Sequence, residues 1–164
     1  MFKSERITTT IIAIVIILIV GFVASRLVGY LAYQHWTKDL DEVTQKYQAQ
    51  YAEQVKYETD SNKLVSRAEK YIKSDNIAYA LITLKQATTI DPNYRDGWIW
   101  LGYIQLKNND FSGALQALKT AEKIDPLYKE TYELLIAAYN QLDDKEMAGK
   151  MEERVEFLGK NPKP

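Results

Sequence analysis

Acid–base, nucleophilic and metal chemistry each need particular side chains in groups, and this sequence supplies few of them. Its single histidine is His35, and it has no cysteine. Sites made of several imidazoles or thiolates are therefore excluded, and a serine–histidine–aspartate relay would have to rest on His35 alone. The carboxylates cluster as Asp39-Asp41-Glu42 and Asp143-Asp144, which read as solvated helix faces or caps and not as acid–base pairs. The seven glycines are scattered, and none opens a phosphate-cradling loop after a strand. A net charge of −1 lacks the strongly basic footprint of a nucleic-acid binder. The expectation is no enzyme, no cofactor, no metal, no nucleic acid and no small-molecule substrate.

The elements that would position any functional surface begin with an apolar run. Residues 7–24 carry no charge and, from Ile11 onward, no polar side chain. As a helix they would reach about 27 Å, near the hydrocarbon thickness of a bilayer. The run therefore predicts a single transmembrane anchor over 7–24 behind a basic tail, 1–6, with the lipid bilayer as a partner. Lys3 and Arg6 precede the run, which favours a cytoplasmic N-terminus and places the rest of the chain on the other side. A cleaved secretory leader is the alternative, but its apolar region usually spans only ~7–15 residues.

Between Tyr30 and Asp91 there is neither glycine nor proline, so helix can continue without a breaker. Trp36, Leu40, Val43 and Tyr47 mark one stripe of a juxtamembrane stalk helix over residues 25–60. The stripe is too short for a sustained coiled coil, which needs about three to four heptads. A lone stalk is expected, with the alternative that residues 36–58 fold back over Val65, Ile72 and Ile99.

Beyond residue 60 the chain repeats itself. A shift of 34 residues superposes Ala80, Ala114 and Ala148, and also Leu64, Trp98 and Tyr132. The helix-start residues Asn76, Asp110 and Asp144 coincide, as do Asp91-Pro92 and Asp125-Pro126. Gly102 and Ala114 would let two helices approach closely, with Trp98 and Leu101 filling beside them. Asp110 would cap the second helix of its pair; Asp125 and Pro126 would cap and open the next helix. This pattern resembles the tetratricopeptide repeat, most clearly in Trp98, Leu101, Gly102, Phe111, Ala114, Leu118, Ala121 and Pro126. The resemblance implies an all-α fold: an anchor, a stalk and a three-repeat superhelical solenoid over 61–160. Its repeats would be 61–94, 95–128 and a C-terminal capping repeat 129–160, with 161–164 as a tail. Ala148, Met151, Val155 and Leu158 would face inward from the last helix, with Glu146, Lys150, Glu153 and Arg154 outside.

The resemblance also implies a function, because this family binds polypeptide segments in the concave face made by first helices. The positions carried over are Val65, Glu69, Ile72, Ile99, Tyr103, Leu106, Ala137 and Asn140, a peptide-binding groove. The family's version that clamps a terminal carboxylate uses cations. The matching positions here, Val65, Glu69, Trp100, Glu130 and Leu134, supply none. The expected function is a membrane-tethered protein–protein interaction module, a scaffolding or assembly subunit of a membrane or envelope complex. The alternatives are a receptor or chaperone-like factor capturing unfolded or translocating polypeptides, and a cleaved secreted repeat protein.

Overall fold

A computed structural model describes the backbone of residues 2–161 and the side chains of residues 19–161. Its described residues form helices and short turns, with no strand. The helices are α1 (Phe2–Val55), α2 (Ser61–Lys73), α3 (Ile77–Ile90), α4 (Arg95–Lys107), α5 (Phe111–Ile124), α6 (Lys129–Gln141) and α7 (Lys145–Lys160). They divide into two compact units, residues 1–47 and residues 48–164.

The first unit is helix α1 up to Tyr47. Among the described residues, no helix is long and apolar enough to cross a membrane. The expected single-pass location, cytoplasmic N-terminus, extracytoplasmic repeats and bilayer contact through residues 7–24 are corrected accordingly. Residues 7–18, most of that apolar run, lie outside the described side chains. The described remainder of α1 is interrupted by Arg26, Lys38, Asp39, Asp41, Glu42 and Lys46, which leave no apolar window of spanning length. Helix α1 is unbroken to Val55 and takes in most of the residues expected as a stalk helix. His35 lies 3.7 Å from Asp39 one helical turn on. The described residues contain no cluster of histidine and carboxylates that could hold a metal ion.

The second unit holds the last two turns of α1 and three helix pairs, α2–α3, α4–α5 and α6–α7. Each helix from α2 onward packs on its successor, and the first helices of the pairs also touch: α2 with α4, and α4 with α6. The 34-residue period reappears in the turns that close the pairs. Asp75, Asn109 and Asp143 all adopt left-handed backbone, with φ of 57°, 60° and 57°. Short polar Asx side chains tolerate that region better than other non-glycine residues. The next residue is then the N-cap of the second helix. Asp110 accepts from Gly113 N at 2.9 Å and Asp144 from Met147 N at 3.1 Å, but Asn76 makes no side-chain capping bond.

The links between pairs depart from expectation. Asp125 does not cap α6, and Pro126 does not open it, because α6 begins at Lys129. Asp125 instead accepts from Leu127 N at 3.1 Å, and Asp91 likewise from Asn93 N at 3.0 Å. Each carboxylate satisfies a donor two residues on and so closes a turn. Trp98 has a related task. Its indole N–H donates to Pro92 O at 2.8 Å, and Tyr132, 34 residues later, donates its hydroxyl to Pro126 O at 2.9 Å. The neighbour of Gly102 is Leu118: a methyl placed on Gly102 would lie 2.6 Å from the Leu118 Cγ.

Ala80, Ala114 and Ala148, one on the second helix of each pair, are all buried. In α7, Ala148 and Leu158 are buried, and Met151 and Val155 pack against them. Arg154 is not simply outward-facing. It donates to Pro126 O at 3.0 Å and lies over the Tyr132 and Phe157 rings. At the opposite end, the final turns of α1 close the core. Val55 is buried, and the Tyr51 ring meets those of Tyr71 and Tyr79 edge-on at 5.6 and 4.7 Å. The Tyr51 hydroxyl is 2.9 Å from Thr83 Oγ1.

Candidate functional site

The first helices α2, α4 and α6 stand side by side, so residues four and three apart on each share a common face. On that face a cavity of 390 Å³ is lined by Ile72 of α2, Ile99, Trp100 and Tyr103 of α4, and Leu134 of α6. Every lining residue is half-buried and apolar or aromatic. Trp100 and Tyr103 meet edge to face, 5.7 Å between ring centres, which fixes one wall. A second cavity of 270 Å³ lies between the C-terminal ends of α4 and α6. Leu106, Lys107, Asn109, Phe111, Ala137 and Gln141 line it.

The expected groove residues divide among these places. Ile72, Ile99 and Tyr103 line the first cavity together, while Leu106 and Ala137 line the second. Val65 is buried instead: it belongs to the core, and its Cγ2 would lie 3.9 Å from a methyl on Gly97. Glu69 is half-buried and Asn140 exposed, and neither lines a cavity described above. Trp100 and Leu134 were not expected in the groove. The sequence marked them only as positions where a carboxylate clamp would need polar groups. Their signal was that both are bulky and apolar at the same repeat position, 34 residues apart.

Of the α1 residues that could cover this face, Val55 lies in the core cluster that also holds Val65, and Tyr51 packs against that core. Tyr51 meets the Tyr71–Tyr79–Thr83 side, and Gln86 Nε2 donates to Lys56 O at 3.1 Å just past the helix end. The N-terminal edge of the face is occupied by charge pairing within the fold. Arg95 contacts Asp96 at 2.6 Å and Asp125 at 2.9 Å, and its guanidinium lies 3.8 Å above the Tyr128 ring. Burial raises the pKa of Tyr94 and of Tyr128, with nearby carboxylates pushing the same way. These groups border the apolar face formed by α2, α4 and α6. That face offers shape, an aromatic wall and hydrogen-bonding edges, the equipment of a binding surface.

No protein-family model matches the sequence. No curated protein matches it either. Solved structures do resemble it in three dimensions. One is the first TPR of Spaghetti (RPAP3) bound to the HSP90 peptide SRMEEVD, at 23% identity and a TM-score of 0.60, covering 62% of this chain and 80% of that one. MamA is similar at 17% identity and a TM-score of 0.61, over 63% and 60% of the two chains. The CopN–Scc3 complex contains a match at 16% identity and a TM-score of 0.59, over 63% and 61%. At these identities the likeness establishes the fold, a helical-pair solenoid of the tetratricopeptide kind, and nothing finer.

Proposed function

We propose that this protein is a non-enzymatic interaction module, a scaffolding or assembly subunit that holds a segment of a partner protein across α2, α4 and α6. The carrying observation is the apolar cup of Ile72, Ile99, Trp100, Tyr103 and Leu134, half-buried and open to solvent. Apolar surface of this kind lowers its free energy when something covers it, and aromatic residues in such a cup commonly dominate binding. Similar solenoids solved with a bound peptide or a partner protein support the reading.

Tyr103 is the test residue. It lines the cup from the middle of α4 and is half-buried, while the fully buried Leu101 and Ile104 beside it serve the core. Truncating such an aromatic commonly removes ~2 kcal/mol or more of binding, about thirtyfold in affinity. Tyr103→Ala should therefore abolish partner capture in crosslinking and co-purification, with helical signal and melting temperature near wild type. Unfolding of the variant would assign Tyr103 to the core, and undiminished capture would move the binding surface elsewhere.

A further inference from the structure

The second cavity differs chemically from the first. Three of its lining residues are polar, and Lys107 is the only titratable group among them. Lys107 stands in the last turn of α4, with its ammonium 5.9 Å from the centre of the Tyr103 ring. Tyr103 also lines the apolar cup, so the two cavities are neighbours on one surface.

The charge balance there is particular to the middle repeat. The left-handed turn residue is an aspartate in the pairs before and after, Asp75 and Asp143, but Asn109 here. Asp143 has a lysine within 3.6 Å, Lys145. Lys107 pairs with no carboxylate among the described residues. The nearest acid in sequence, Asp110, is engaged by Gly113 N at 2.9 Å and Gln105 Nε2 at 3.0 Å. The cavity thus presents a cation that is in no ion pair among the described residues, lined also by the amides of Asn109 and Gln141, next to an apolar cup.

We propose that this second cavity receives an acidic side chain of the partner segment whose bulky apolar residue fills the cup. The inference rests on the groove reading above and adds the ligand's chemistry. From the middle of the cup-lining stretch of α4 to Lys107 is about six residues of helix, ~9 Å. An extended chain covers that in about three residues, so the motif is a large apolar residue with Asp or Glu about three positions away. The acid is an internal side chain and not a chain end. A single lysine is a point charge that suits one carboxylate, and no second cation lines the cavity to fix a terminus.

The test pans the full chain against displayed random peptides. Synthetic copies of the selected peptides are then titrated by fluorescence anisotropy against wild type, Tyr103→Ala and Lys107→Glu. The expected peptides carry the apolar–acid pair and lose binding to Tyr103→Ala. They should weaken about tenfold or more against Lys107→Glu, where a like charge meets the acid, and recover when that acid is changed to lysine. Peptides that need Tyr103 but are indifferent to Lys107→Glu would overturn the carboxylate site and leave the groove reading standing. Peptides indifferent to Tyr103→Ala, or no selected peptide at all, would overturn both. Loss of binding on amidating the peptide C-terminus would overturn the internal acid in favour of a terminal carboxylate.

Discussion

Tyr71 is where burial and ionisation meet. It sits in the ring cluster with Tyr51 and Tyr79, its ring stacked on Tyr79 at 5.5 Å. Burial pushes its pKa up to about 12, and the neighbouring Tyr51 hydroxyl adds to the shift. In the unfolded chain the same phenol ionises near its ordinary value of about 10. Below that pH both states hold the proton and stability is unaffected. Between about 10 and about 12 the unfolded state releases it first, so stability falls as pH rises. Tyr94 and Tyr128 shift in the same direction and steepen the decline. Melting temperature should therefore drop across this alkaline window, and Tyr71→Phe, which keeps the ring contacts, should make the drop shallower. An equally steep decline in the variant would show that Tyr71 ionises as freely folded as unfolded.

At the scale of helices, the close approach of α4 and α5 decides whether a pair forms. Gly102 faces the fully buried Leu118, and an added methyl would come within 2.6 Å of Cγ and 2.7 Å of Cδ2. Alanine is the better helix former by about 1 kcal/mol. Overpacking a closed core typically costs 1–3 kcal/mol, and Leu118 has no solvent side to turn toward. The clash should win. Gly102→Ala is expected to lower stability by about 1 kcal/mol net, a melting shift of several degrees, and Leu118→Val in the same chain should restore part of it. A stabilised single variant would mean that the α4–α5 contact is looser than described. The small residue at this position was legible from the repeat, but its partner was not. Leu118 stands sixteen positions on, and only the packed pair reveals that it, and not Trp98, fills the space.

For the whole chain, the division at Tyr47–Gln48 predicts how stability is distributed. Within the first unit, Tyr33, Trp36, Leu40, Val43 and Tyr47 are exposed, so little tertiary burial supports the helix there. From Gln48 onward the same helix gains Tyr51 and Val55 in the core of the second unit. An isolated helix opens readily, whereas one held by packing opens only with its unit. Amide exchange on the full chain should therefore be fast over residues 30–47 and slow by several orders of magnitude in α2 to α6. Protection over 30–47 as high as that of α4 would mean that this stretch is covered by something in solution.

The sequence alone determined the helical class, the 34-residue period, the three pairs and the inward face of the last helix. Those follow from local rules, because helix periodicity, small residues at fixed spacing and Asx caps act within a few residues of one another. Five of the groove residues inferred from it, Ile72, Ile99, Tyr103, Leu106 and Ala137, line cavities on the shared face of the first helices. Tertiary structure decided the rest. Val65 occupies a groove position in the repeat yet is buried in the core, and Trp100 and Leu134 become cup walls because α4 and α6 stand together. Asp125 serves a turn and not α6, because the next helix starts three residues after Pro126. Which atoms a helical residue touches depends on the distance and rotation of its neighbours, and a one-dimensional pattern does not contain either quantity.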